Sequence, residues 1–127
     1  MSFDTSIKVM VVDDFATMRR IVKGVLKQLG FRQIREAENG SAALEELKKE
    51  PVGLIVSDWN MPKMTGLALL KAVKADDALR KIPFIMVTAE GQKENVIEAV
   101  KAGVSNYIVK PFTPEIFSEK LEKVLGS

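Results

Sequence analysis

The chain has no cysteine and no histidine. The first absence excludes a disulfide framework and any thiolate metal site. The second removes the imidazole that most often serves as metal ligand, general base or proton shuttle. Any chemistry must therefore rest on carboxylates, hydroxyls, lysines and backbone groups. An excess of one charge is missing too: nineteen Lys and Arg against seventeen Asp and Glu leave +2, interspersed along the chain, too slight for a nucleic-acid surface. No apolar run approaches the ~20 residues of a membrane span. The opening MSFDTSIK lacks the basic and apolar regions of a signal peptide. Together these absences predict a cytoplasmic protein with no nucleic-acid partner and no membrane insertion.

What is present suffices for one core: 127 residues, 46% of them hydrophobic, with no Pro/Gly/Ser-rich linker to divide them. Short apolar runs alternate with amphipathic stretches, strand then helix, five times. The expected strands are KVMVVD (8–13), QIREAE (33–38), GLIVSD (53–58), PFIMVT (83–88) and NYIVK (106–110). The second alternates with charge and reads as an edge. Between them, Met18, Ile21, Val22, Val25, Leu26 and Leu29 follow the i, i+3, i+4 rule, and Gly30 supplies a left-handed stop. Similar faces are expected at Ala43, Leu44 and Leu47, at Leu69, Leu70 and Val73, at Val96, Ile97 and Val100 before Gly103, and at Ile116, Phe117, Leu121, Val124 and Leu125. Thr113 is placed to cap the last helix, with Pro114 at its first position, where a missing N–H costs nothing. Strands separated by helices pair in parallel through right-handed crossovers, so this is an α/β chain with helices on both faces of one open sheet.

In that arrangement every strand ends on the same edge. Asp13 and Asp14 close the first, Asp58 the third, Thr88 the fourth and Lys110 the fifth. Singly, each has an ordinary reading: an acid after a strand is a turn former or helix cap, Thr88 a β-former, Lys110 a solvated lysine, Tyr107 a half-buried strand aromatic. Jointly they do not. Carboxylates ~4 Å apart repel by roughly 4 kcal/mol per pair at an effective dielectric near 20, so three of them need a cation or a raised pKa. Oxygen ligands alone suit a hard ion such as Mg2+, which usually shares its coordination with phosphate oxygens. A metal-bound carboxylate can also become a nucleophile and form an aspartyl phosphate, with Lys110 and Thr88 spreading the phosphoryl charge.

The segments VVDDFATMRRIV, SDWNMP, MVTAE and NYIVKPFT, in this order and spacing, resemble the receiver domains of two-component response regulators, specifically the single-domain chemotaxis regulators. The resemblance runs end to end. It implies a flavodoxin-like (βα)5 fold, doubly wound, with a five-stranded parallel sheet in order 2-1-3-4-5, and one receiver domain over 1–127 with no output domain. It implies that Asp58 is the phosphoacceptor and that Asp13, Asp14, Asp58 and the Asn60 backbone carbonyl hold Mg2+. It further implies that Lys110, Thr88 and the Ala89 N–H contact the phosphoryl group, and that Lys110-Pro111 is a cis peptide bond. Asn60 and Glu90 would tune the lifetime of the phosphoryl group, and Tyr107 would turn inward as Thr88 moves. Trp59 would report on the site. The implied partners are a chemotaxis histidine kinase, a flagellar motor switch protein and a phosphatase, met by a monomer that is no enzyme beyond its own phosphorylation and dephosphorylation. Two rivals are a phosphorelay intermediary and a metal-dependent phosphatase acting on external substrates. A nucleotide or flavin binder fits less well, because paired acids after the first strand repel a phosphate there and no GxxxxGK[ST] loop is present.

Overall fold

The computed structural model describes residues 3–89 and 93–126. Five strands and five helices alternate: β1 (Lys8–Val12), α1 (Ala16–Gln28), β2 (Gln33–Ala37), α2 (Gly40–Lys49), β3 (Leu54–Asp58), α3 (Gly66–Ala75), β4 (Phe84–Ala89), α4 (Lys93–Lys101), β5 (Asn106–Lys110) and α5 (Pro114–Leu125). All pairings are parallel and the sheet order is β2-β1-β3-β4-β5. This is the flavodoxin-like, doubly wound fold expected above. Strand ends differ slightly: β1 stops at Val12 and β2 at Ala37, one residue early in each case, while β4 runs on to Ala89.

Alternation along the strands divides the core in two. Val9 and Val11, Leu54 and Val56, Ile85 and Val87, and Ile108 face Val22, Leu26, Phe117 and Leu121 of α1 and α5. Met10 and Val12, Ile55, Phe84 and Met86 face Ala43 and Leu47 of α2, Leu69, Leu70 and Val73 of α3 and Ala99 of α4. A fully buried large aliphatic side chain contributes about 2 kcal/mol of transfer free energy, so each face is a substantial core.

The helix punctuation follows the sequence. The Asn39, Thr65 and Thr113 side chains each accept an N–H from the first turn of α2, α3 and α5, and Pro114 opens α5. Gly30 at φ 109 and Gly103 at φ 93 end α1 and α4 in a conformation that side chains resist. Four residues expected on buried helix faces lie outside instead. Ile21 of α1 is 47% exposed, Ile97 and Val100 of α4 are 53% and 59% exposed, and Ile116 of α5 is 41% exposed. In α4 only Ala99 is buried. At 100° per residue Val100 and Ile97 stand 100° and about 200° round the helix from it, so a helix docked through Ala99 turns both away from the sheet.

Candidate functional site

The register delivers the acids to one edge. Val12 pairs with Ser57, so Asp13 follows β1 beside Asp58, the last residue of β3. Asp58 is level with Val87, and Ala89 with Lys110, so β4 and β5 end together two residues beyond β3. Asp58 shares its strand face with Val56, and Lys110 shares its face with Ile108; both Val56 and Ile108 belong to the core on the α1/α5 side. From there Lys110 Nζ spans β4 and donates to Asp58 Oδ1 at 2.8 Å.

Asp13 and Asp58 are buried and Asp14 is exposed, and each can bring one carboxylate oxygen within 4.8 Å of the other two. Burial pushes the Asp13 carboxyl up to about 6. The Phe15 N–H, donating to Asp13 Oδ1 at 2.9 Å, and the Lys110 charge oppose that rise, while Asp58 and Asp14 add to it. The cluster is thus a concentration of negative charge only partly balanced by Lys110. Its donors are all oxygens, their separation suits a single ion, and the like charges of Asp58 and Asp14, which add to the burial-driven rise at Asp13, are a repulsion that an ion would relieve. The residues fit a hard divalent cation.

Thr88 belongs to a second group. It shares its strand face with Met86, on the α3/α4 side, is 2% exposed, and its Oγ1 has no hydrogen-bond partner among the described residues. A hollow of about 330 Å³ beside it is lined by Ala89, Val96, Ile97, Tyr107 and Val109. Tyr107 is half-buried, with Lys120 Nζ 5.1 Å from its ring centroid. Asn60 and Ala89 are exposed at the ends of β3 and β4. Glu90 lies outside the described residues. The Lys110-Pro111 bond is cis.

The loop after β3 is built tightly under Asp58. Trp59 is buried against the α2/α3 core, its N–H donating to the Val87 carbonyl at 3.1 Å and its carbonyl accepting from Gly66 at 2.9 Å. The Met64 N–H returns to the Pro62 carbonyl at 2.7 Å around Lys63, whose φ of 66 is unusual for a side-chain-bearing residue. A Cβ on Gly66 would stand 2.2 Å from the Asp58 carbonyl oxygen. The buried Ser57 hydroxyl donates to the same carbonyl at 3.0 Å. Sequence reasoning assigned no role to Gly66, Ser57, Arg19 or Glu36. Gly66, Ser57 and Arg19 each meet a backbone carbonyl, and Glu36 pairs with the Arg19 side chain; no residue pattern announces such contacts.

Fold and site together define a receiver, and the chain belongs to the response regulator receiver domain family, whose model matches residues 9–122. It is thus a two-component signalling domain, and its acidic cluster is compatible with a receiver metal site. Within the family, relatives at about half identity are chemotaxis proteins. It is 54% identical over 121 residues to chemotaxis protein CheY1 of Helicobacter pylori, covering 94% of this chain and 98% of that one. It is 50% identical over 117 residues to chemotaxis protein CheY of Pseudomonas aeruginosa, covering 92% and 94%. The solved structure of chemotaxis protein CheY4 of Vibrio cholerae superposes with a TM-score of 0.86 at 35% identity, over 94% of this chain and 99% of that one. Among the described residues no helix is long and apolar enough to cross a membrane.

Proposed function

We propose that the protein is a phosphorylation-activated chemotaxis regulator of the cytoplasm, with Asp58 as phosphoacceptor. The observation that carries this reading is the 2.8 Å contact from Lys110 Nζ to Asp58 Oδ1 at the rim of three clustered carboxylates. An Asp58 carboxylate oxygen attacks phosphorus in line, and the bond from phosphorus to the donor nitrogen of a kinase phosphohistidine breaks, its electron pair leaving with the imidazole. With acetyl phosphate the leaving group is acetate. Mg2+ held by Asp13, Asp14, Asp58 and the Asn60 carbonyl would neutralise the phosphoryl oxygens. Lys110 moves from the carboxylate to those oxygens, where its ammonium stabilises charge as it develops. The Ala89 N–H adds a donor there, and Asn60 and Glu90 set how fast water removes the group.

The switch follows from the unpartnered Thr88 hydroxyl. A buried hydroxyl without a hydrogen bond costs about 1–3 kcal/mol, so a phosphoryl oxygen at the strand edge draws Thr88 toward it. That movement leaves room in the adjoining hollow for the Tyr107 ring. The exposed Ile97, Val109 and Ile116 line hollows shared with Tyr107 and, with the exposed Val100 of α4, supply an apolar surface for a motor switch protein. Complete switching needs roughly 5.5 kcal/mol of differential stabilisation, within reach of a few charge-assisted bonds.

Mass spectrometry of the intact protein with acetyl phosphate and Mg2+ tests the acceptor. The wild type gains one phosphoryl group and Asp58→Asn gains none. A phosphorylated Asp58→Asn protein would sink the assignment.

A further inference from the structure

The edge strand that lends no group to the site nonetheless holds one of its acids. Asp13 is fixed at three points. Its N–H donates to the Ala37 carbonyl of β2 at 3.1 Å, its Oδ1 accepts from the Phe15 N–H at 2.9 Å, and its carbonyl accepts from Arg19 Nη1 at 2.7 Å. Arg19 is itself held, because its Nε donates to Glu36 Oε1 at 3.1 Å while Lys23 occupies the other Glu36 oxygen at 2.8 Å. Glu36 immediately precedes Ala37, so α1 and β2 grip the same residue from two sides.

The carbonyl that Arg19 takes belongs to the planar peptide unit joining Asp13 to Asp14. Pinning that plane constrains the backbone torsion on either side of it, and with them the directions of both carboxylates. Only a guanidinium spans the two partners, since its rigid fork offers separate donors to Glu36 and to the carbonyl, whereas an ammonium is a single point. Surface ion pairs contribute little to stability, so the arrangement is not explained by the fold alone.

We propose that Arg19, oriented by Glu36, is a positioning residue that aims the Asp13 and Asp14 carboxylates and thereby sets the divalent-cation affinity of the cluster. The inference rests on the cation-binding part of the function proposed above. It also has a distinctive sign. If Arg19 acted only as a nearby positive charge, removing it would tighten cation binding; as a positioning residue, its removal loosens it.

The test is Mg2+ titration of the full chain, followed by Trp59 fluorescence and by calorimetry, for the wild type, Arg19→Ala, Arg19→Lys and Glu36→Gln. Residues that orient metal ligands typically change affinity by about tenfold or more, and Arg19→Ala is expected to raise the Kd by that factor. Glu36→Gln shifts it less in the same direction, and Arg19→Lys does not restore it. Urea unfolding in the absence of metal identifies any variant that fails to fold. Should Arg19→Ala be such a variant, Arg19→Lys and Glu36→Gln decide. A wild type that binds Mg2+ alongside folded variants within twofold of it, or bound more tightly, overturns the inference. So does full rescue by Arg19→Lys, which would show that the guanidinium fork is not what aims the carboxylates. A wild type that binds no Mg2+ at all instead overturns the cation reading on which the inference depends.

Discussion

Asp13 couples the acidic cluster to pH, and the direction of the coupling can be worked out. Its carboxyl is raised from 3.8 to about 6 in the fold, chiefly by burial. Between those values the native state holds more of its proton than the unfolded chain does, so unfolding free energy falls as pH rises through that window. Below it the contribution is complete, and above about pH 7 it is gone. From pH 7 to pH 5 the metal-free protein should gain about 1 kcal/mol from this group. Comparing urea unfolding of the wild type with that of Asp13→Asn at the two pH values isolates the effect, and an unchanged difference between them would contradict it. Mg2+ should reverse the trend, because a cation needs the ionised carboxylate: its affinity weakens as pH falls below about 6. Glu36, whose carboxyl Lys23 and Arg19 hold below its ordinary value, loses its contribution only at lower pH. At this scale the sequence was informative, through strand-end position, for the charged groups but not for Thr88, which shares the strand face of Met86 on the α3/α4 side. Asp13, Asp14, Asp58 and Lys110 are brought together as their spacing predicts. It was silent on Arg19, whose task depends on a carbonyl six residues away, and carbonyls carry no residue signature.

Among the elements, strand identity was easy to read because buried parallel strands are near-continuous apolar runs. The faces of the helices were harder. An apolar stripe shows that a helix has something to hide, but not whether the sheet or a partner hides it. In α4 that difference puts Ile97 and Val100 on the surface. The β3–α3 connection makes a sharper prediction. Adding a methyl at Gly66 drives a carbon into the Asp58 carbonyl, with Met86 Sδ 2.8 Å away on another side. The carbonyl belongs to Asp58, the proposed acceptor, and cannot retreat without moving that residue. Overpacking of this kind costs about 1–3 kcal/mol, and Gly66→Ala should lose at least that in urea unfolding. Its rate of phosphorylation by acetyl phosphate should drop as well. Wild-type stability together with a wild-type rate would show that the loop yields.

Over the whole molecule, anchoring is uneven. α5 buries Phe117 and Leu121 and packs Phe112 edge-on against Phe117 with centroids 5.4 Å apart, whereas α4 holds on through Ala99. Segments with few buried apolar contacts open at a lower free energy than the core. Native-state hydrogen exchange should therefore find the α4 amides exchanging well before those of β3 and α5, with a stable phosphate mimic slowing α4 selectively. Uniform protection across α4 and α5 would contradict this. The proposed switch draws on this asymmetry: the sheet edge that receives charge is rigid, and the helix beside the responding hollow is the weakly held one.

One consequence follows from the sheet order. The carboxylates of the cluster come from the turn after β1 and the end of β3, and their ammonium from β5, so no contiguous stretch of chain contains the ion's binding place. A cation held there is a ligand of the assembled sheet and of nothing less. By mass action, an ion at a hundredfold over its Kd adds about 2.7 kcal/mol to unfolding. On the Mg2+ reading proposed above, the cellular ion would act as a folding cofactor for the resting protein, and a destabilising substitution far from the site would surface first as a demand for more of the ion.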